Sequence, residues 1–354
     1  MEQRAIVLRA LCSVLLLSAT SSAWPFYPLY RESRDVFDNS VDSANGLIAH
    51  LSHLEGQLYG LPDNQTGEKV AQWHEGMGVN PEELGEYAEG DILYPASMGR
   101  NGVKAETARW PGGVVPYMIS PYFNEQQQRL IREAMADYHK NTCIKFKPYT
   151  GEETDYIRIT AGNTGCWSSV GRIGGPQDVN LQVPGCVTKK GTVIHELMHA
   201  VGFLHEQSRY ERDEFVRINY HNIQPEIGGT LMCREGNFEK SQRSTTDAFG
   251  VGYDYGSVMH YSANAFSRNG QPTIVPRGDF LSERSGKRSS RLNLIRGGVV
   301  AGRREFLGLI GGVFQGGNIA LGQREGFSQR DIQKIRRMYK CSSKRRRSSS
   351  FFFF

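Results

Sequence analysis

The chain is expected to fold as an α+β domain, with a twisted mixed sheet and helices above a cleft and an irregular half below it. Three observations lead there. Asn124 is a good helix N-cap with Gln127 three residues later, and Leu130, Ile131, Ala134, Met135 and Tyr138 follow at helical spacing, which predicts an amphipathic helix of about four turns. Short runs of β-branched and aromatic residues (Ile144 and Phe146; Tyr156, Ile157 and Ile159) predict strands, and Val179-Asn180-Leu181-Gln182-Val183 alternates cleanly. After His205 the sequence turns irregular and rich in Tyr, Asn and Gly, which predicts the looser lower half.

Between the last strand and that irregular half stands His195-Glu196-Leu197-Met198-His199-Ala200-Val201-Gly202-Phe203-Leu204-His205. On a helix, i and i+4 share a face, so His195 and His199 can chelate one ion. Glu196 lies one residue round from His195, close enough to hold a water without ligating the metal. Gly202 provides the backbone freedom to end the helix and turn the chain, returning His205 as a third ligand. Three protein ligands with one open position are the pattern of a catalytic zinc site, with a single Zn²⁺ expected in the cleft. Val193, Ile194, Leu197, Met198 and Val201 supply apolar positions, so the same helix also packs in the core.

The amino-terminal 1–23 reads as a secretory signal. Arg4 and Arg9 flank or interrupt an apolar run ending in Leu15-Leu16-Leu17, and Ser21-Ser22-Ala23 offers small residues for cleavage. That run is too short for a membrane span, and the apolar stretch 299–314 is broken by Arg303, Arg304 and Glu305, so no membrane association is expected. A secreted, extracellular chain would retain five of its six cysteines, Cys143, Cys166, Cys186, Cys233 and Cys341, of which four would pair. Sequence alone leaves the connectivity open. Asn64-Gln65-Thr66 is a glycosylation acceptor sequence in such a chain.

The formal charge of +5 comes from two local stretches. Residues 278–317 carry seven basic and three acidic side chains and the tail 342–354 four more basic ones, which leaves the remainder near −3. A basic nucleic-acid face is therefore not expected, and Lys344-Arg345-Arg346-Arg347 reads as a solvated tail.

The residues around the histidines carry a family resemblance. Glu206-Gln207-Ser208-Arg209-Tyr210-Glu211-Arg212-Asp213 follows the third His directly, and Ser257-Val258-Met259-His260-Tyr261 comes later. With Trp110-Pro111-Gly112-Gly113-Val114-Val115-Pro116-Tyr117 and Gly165-Cys166-Trp167-Ser168, this resembles the astacin family of zinc metalloproteases, within the metzincin group. The likeness extends from about Asn101 to Cys341. Glu211 is a small departure, since the family usually has Asp there.

The resemblance implies a two-subdomain metzincin-type catalytic domain over 101–341 and assigns roles within it. Tyr261 matches a zinc-ligating Tyr that swings away to stabilise the oxyanion, and Met259 packs beneath the metal. Cys166 and Trp167 match the edge strand against which substrates lie extended. The disulfides implied are Cys143–Cys341 and Cys166–Cys186, leaving Cys233 as the odd thiol. His260 alternates away from Tyr261 and is left out of the site.

Residues 24–100 are polar, with few sustained periodic segments, and resemble the astacin propeptide. Within Pro81-Glu82-Glu83-Leu84-Gly85-Glu86-Tyr87-Ala88-Glu89-Gly90-Asp91-Ile92, Asp91 matches the Asp that fills the zinc's open position in the zymogen, although Ala88 replaces the usual Phe, which weakens the expected anchoring. A trypsin-like protease cutting between Arg100 and Asn101 would create the mature terminus. In the family that terminus reaches, through water, the residue matching Glu206. Residues 278–317 separate Pro272-Thr273-Ile274-Val275-Pro276 from Leu321-Gly322-Gln323-Arg324-Glu325-Gly326-Phe327-Ser328, which usually follow closely, and so read as an atypical insertion.

The function expected is a secreted zinc metalloendopeptidase acting on protein or peptide substrates and made as a zymogen, with Glu196 as general base. The alternative is a secreted non-catalytic binding protein on the same fold. Loss of Glu196 or of one histidine would have favoured it, and all four are present.

Overall fold

A computed structural model describes residues 58–96, 108–225, 234–241, 249–277, 314–315 and 318–342. The signal 1–23, Arg100 and Asn101, Cys233, most of 278–317 and the tail from 343 lie outside the described residues.

The described N-terminal segment is more ordered than its polar sequence suggests. β1 (Tyr59–Gly60) pairs in parallel with β2 (Tyr94–Pro95), and between them runs helix α1 (Asn64–Ala71). Asp63 caps α1 by accepting from the backbone N–H groups of Gln65 and Thr66. The periodicity missed this helix because it is only 8 residues long and buries only Thr66, Gly67 and Val70. Asn64 is exposed at its first position, while Thr66 of the same acceptor sequence is buried.

Strand β3 (Val114–Ile119) follows a tight turn at Pro111–Gly113. Helix α2 (Glu125–Asn141) starts where predicted: Asn124 Oδ1 accepts from Gln127 N, and Gln127 Oε1 accepts from Asn124 N, both at 2.9 Å. It buries Ile131, Ala134, Met135 and Tyr138, four of the five apolar positions anticipated; Leu130 is half-buried. β4 (Lys145–Pro148), β5 (Tyr156–Thr160), β6 (Cys166–Ser168) and β7 (Pro176–Leu181) complete a five-stranded sheet in the order β4-β3-β5-β7-β6. The first four strands run parallel, and β6 closes the edge antiparallel to β7. β7 ends at Leu181, short of the expected Val183, because Pro184 leads into a helical turn at Gly185–Val187.

Helix α3 (Lys190–Val201) is buried from Gly191 to Val201, which is why its sequence is apolar on every side apart from its functional residues. It packs with α2 in the main core, where Tyr138 Oη donates to Ile194 O at 2.8 Å and Trp110 Nε1 to Ala200 O at 2.7 Å. Below it the chain is irregular, as expected, with a small antiparallel pair of β8 (Val216–Ile218) and β9 (Ile274–Pro276). A further two-residue pair, β10 (Phe314–Gln315) with β11 (Asn318–Ile319), precedes the last helix. No described helix is long and apolar enough to cross a membrane.

Helix α4 (Gln329–Met338) begins at Ser328, whose Oγ accepts from Asp331 N. It is fastened behind α3 by Tyr339 Oη donating to Val201 O at 2.7 Å and by the Cys143–Cys341 disulfide. The second disulfide, Cys166–Cys186, ties β6 to the turn before α3. Both pairings agree with those the family resemblance implied.

Cys143 and Cys341 are 198 residues apart, so their bond closes a very long loop and restricts the unfolded chain strongly. Replacing both by Ser should destabilise the protein by about 2–5 kcal/mol. Urea unfolding at equilibrium checks this, and an unchanged midpoint would show that core packing alone docks α4.

Candidate metal centre and cleft

His195 and His199 project from one face of α3, one turn apart. The helix ends at Gly202, whose φ of +120° is strained for any side chain and whose added Cβ would meet Met338 Cε at 2.8 Å. Gly202 N donates to the carbonyls of Met198 and His199, and the chain then turns to bring His205 back. All three rings are fully buried and meet edge to face or tilted, with centroids 4.8–5.2 Å apart.

Each ring is oriented by a hydrogen bond from its Nδ1. His195 Nδ1 donates to Val258 O at 2.8 Å, His199 Nδ1 to Phe203 O at 2.7 Å, and His205 Nδ1 to Glu89 Oε2 at 2.7 Å. With Nδ1 engaged in this way, each Nε2 is directed into the space the rings share, the usual arrangement of ligating imidazoles. Asp91 enters that space: its Oδ2 is 3.0 Å from His195 Nε2 and 3.3 Å from His205 Nε2, and its Oδ1 is 3.4 Å from His199 Nε2. Ligand atoms of Asp91, His195, His199 and His205 all lie within 4.8 Å of one another.

The donor set fits a zinc ion. Three imidazole nitrogens and a carboxylate oxygen are typical zinc ligands. Asp91 Oδ1 and His199 Nε2 are buried without a hydrogen-bond partner, which a cation would remedy. The corner is also strongly negative. Burial alone would depress the His205 pKa, but the flanking Asp91 and Glu89 carboxylates lift it to about 9. For Asp91, burial is outweighed by His205 and His199, which hold its carboxyl well below the usual range.

Glu196 is fully buried beside the histidines, and neither of its carboxylate oxygens has a hydrogen-bond partner. Burial first, then the negative charges of Asp91 and Glu82, push its pKa well above the ordinary carboxylate range. Met259 packs in the main core, its carbonyl accepting from Glu206 N at 3.0 Å. The Tyr261 ring lies 4.5 Å from that of His205, and its hydroxyl donates to the carbonyl of Glu89. His260 faces elsewhere, with Nε2 2.7 Å from Tyr253 Oη, and takes no part in the cluster.

The N-terminal segment fills the cleft along β6. Ser168 N donates to Asp91 O, Leu93 N donates to Ser168 O, and Ile92 bridges Ser168 in parallel. Cys166 and Trp167, expected to meet substrate, are therefore covered. Trp167 is buried against Tyr87 and Leu93, with the Tyr87 ring edge-on at 6.0 Å. The weak anchoring expected from Ala88 is not what the structure has. Ala88 is buried with Leu58, Ile92, Tyr94 and Leu204, and Tyr87 Oη both donates to Thr164 O and accepts from Asp63 N.

Glu206 is already partnered in the uncut chain: its Oε2 is paired with Lys334 and its Oε1 accepts from Arg209 Nη1 and Asp254 N. The terminus that the resemblance brings to it, at Asn101, lies outside the described residues. A carboxylate with no exposure requires a counter-charge. Although burial raises its pKa, Lys334 and Arg209 bring it below the ordinary value.

Several participants were missed from sequence. Glu82 pairs with Arg324, both side chains about 1% exposed, and Glu83 accepts from Ser262 N and Oγ, each at 2.6 Å. Asp331 accepts from Ser257 Oγ and Val258 N and so holds the turn carrying Met259. Glu89 stands two residues from Asp91, in a stretch already singled out, and was the most accessible of these to inference.

A histidine pair on a helix, a third histidine beyond a glycine turn and a methionine-bearing turn whose Val258 carbonyl accepts from His195 define a metzincin-type site. The chain belongs to the astacin peptidase family, whose model matches residues 102–294. Zinc metalloproteinase nas-13 of Caenorhabditis elegans is 40% identical over 68% of this chain and 43% of its own length. Zinc metalloproteinase nas-4 of the same organism is 33% identical over 73% of this chain and 70% of its own length. Among solved structures, high choriolytic enzyme 1, a hatching enzyme zinc-protease from Oryzias latipes (medaka fish), is 32% identical with a TM-score of 0.49, covering 66% of this chain and 94% of that one. This chain spans 31–43% of the length of the first three relatives it matches.

Glu206→Gln should destabilise the fold by about 3–5 kcal/mol, because Lys334 and Arg209 would keep their charges with one buried partner weakened. Adding Lys334→Met should recover part of that loss. Chemical denaturation of the single and double variants gives the coupling, and strict additivity would show that the pair does not act as a unit.

Proposed function

We propose that this chain is the latent precursor of a secreted zinc metalloendopeptidase that cleaves internal peptide bonds of protein substrates. One observation carries the reading: three buried imidazoles, each with Nδ1 already hydrogen-bonded, converge through Nε2 beside a buried glutamate with two unpartnered oxygens. A merely structural histidine cluster would have no use for that glutamate, and desolvating it without a partner is unfavourable.

His195, His199 and His205 would hold the ion. When bound, zinc lowers the pKa of a ligating water to about 7 and polarises a carbonyl oxygen. Glu196 is assigned as general base, taking the proton of the attacking water on its carboxylate and passing it to the leaving amine. Tyr261 would donate its hydroxyl hydrogen bond to the oxygen that gains charge, once that hydroxyl is released from the Glu89 carbonyl. The substrate would lie extended along β6, contacting Cys166 and Trp167, and main-chain pairing there would tolerate varied sequences.

Residues 24–100 would act as the propeptide, with Asp91 facing the three Nε2 atoms and 92–93 occupying β6. An activating trypsin-like protease would cut after Arg100 and free the terminus at Asn101. Asn64 would carry a glycan added before the chain folds, which is compatible with the buried Thr66. Gly202 and Met259 would support the ligands without joining the chemistry.

Glu196→Gln should retain zinc at full stoichiometry while losing about 10²–10⁴ in turnover. Metal analysis alongside a peptide-cleavage assay separates the two effects, and wild-type rates in the variant would sink the base assignment. Asp91→Ala should leave an uncut precursor with measurable cleavage of a small peptide, whereas the uncut wild type is silent. Equal, low rates in both would show that steric filling of the cleft, and not this carboxylate, maintains latency.

A further inference from the structure

The N-terminal segment grips His205 from both sides. Asp91 approaches Nε2, and Glu89 Oε2 accepts the hydrogen bond of Nδ1 at 2.7 Å. Glu89 is itself fixed on all sides. It is 2% exposed, its other oxygen accepts from Ser208 Oγ at 3.1 Å, its N–H donates to Asn237 Oδ1 at 3.1 Å, and its carbonyl accepts from Tyr261 Oη. Its backbone sits at φ +48°, unfavourable for a residue with a side chain, and Gly90 follows at φ +90°, where an added Cβ would meet Phe266 Cζ at 2.9 Å. This bent pair places two carboxylates, two residues apart, on opposite nitrogens of one imidazole.

The other two histidines have no such arrangement. Their Nδ1 partners, Val258 O and Phe203 O, are main-chain carbonyls of the catalytic region itself. Only His205 takes its Nδ1 partner from the segment that cleavage after Arg100 would remove. A carboxylate is a stronger acceptor than a carbonyl, and an acceptor on the far nitrogen raises the donor strength of a ligating imidazole and fixes its tautomer.

We propose that Glu89 is a positioning residue that the propeptide contributes to the metal centre. It orients His205 and strengthens Nε2 as a donor, so the uncut precursor binds zinc more tightly than the processed enzyme. Metal capture then belongs to the precursor stage. This rests on the reading of His205 as a zinc ligand and of residues up to Arg100 as the removable segment.

The test measures zinc affinity of the full-length precursor by competition with a chromophoric chelator, for wild type, Glu89→Gln, Ser208→Ala and His205→Ala. Glu89→Gln should bind zinc about 10–100-fold more weakly, and Ser208→Ala should show a smaller loss in the same direction. In the zinc-loaded protein, the exchangeable Nδ1 proton of His205 should move upfield in Glu89→Gln, with those of His195 and His199 unmoved. A general structural defect would shift all three together. Wild-type affinity in Glu89→Gln with a strong loss in His205→Ala would overturn the proposal and leave the ligand assignment standing. Wild-type affinity in His205→Ala would overturn the ligand assignment, and the proposal with it.

Discussion

Every part of this site follows from one constraint: a buried imidazole can present a bare Nε2 only if something accepts the proton on its Nδ1. Three acceptors are required, and the fold draws them from three places. Phe203 O is available because Gly202 turns the chain at the end of α3, and α4 presses Met338 against that glycine. Val258 O is available because Asp331 of α4 holds the neighbouring N–H and the Ser257 hydroxyl. The C-terminal helix, far from the histidines in sequence, thereby fixes two of the three acceptors. The disulfide between Cys143 and Cys341 anchors the chain just beyond it.

The third acceptor explains why the N-terminal segment belongs to the site and is more than a plug. Beside its apolar and main-chain contacts, it meets the cleft through four acids: Glu82 with Arg324, Glu83 with Ser262, Glu89 with His205 and Ser208, and Asp91 at the cluster centre. All four are buried, and charges so placed hold only when each finds a partner. The same negative charge that suits a divalent cation acts on Glu196, where Asp91 and Glu82 add to burial in disfavouring ionisation. One set of carboxylates thus covers the cleft, completes the hydrogen bonding of His205 and disfavours ionisation of the buried Glu196.

Legibility from sequence divided along the line between local and distant contacts. The pair His195 and His199 was readable because four residues on a helix always share a face, and the helix at 125–141 because its cap and apolar spacing are local. His205 could be placed because a glycine at a fixed offset implies the turn. Lys334 meets Glu206 across 128 residues, Glu82 meets Arg324 across 242, and Glu89 meets His205 across 116. No periodicity encodes such separations. Lys334 would have been read as one more charge on an amphipathic surface helix, though it is fully buried. Strand β3 was missed for another reason: Pro116 interrupts its alternation, and it is recognisable only beside its parallel neighbours β4 and β5.

At Glu206 the physics of burial sets what the uncut chain must provide, whatever terminus reaches it after cleavage. A carboxylate with no exposure cannot stand uncompensated until an amino terminus is generated by cleavage, because desolvating a lone charge is prohibitive. The chain therefore supplies Lys334 and Arg209 in advance. Any terminus arriving later would meet a carboxylate that already has two cations, and would have to join the network or displace one of them. Arg209 is the less replaceable of the two, since its guanidinium also bonds Glu211 and the Val251 carbonyl. Lys334 has Glu206 as its ion-pair partner and sits on the helix that supports the Met259 turn. A rearrangement at Glu206 would therefore be felt first through α4, the element on which two of the three imidazole acceptors depend.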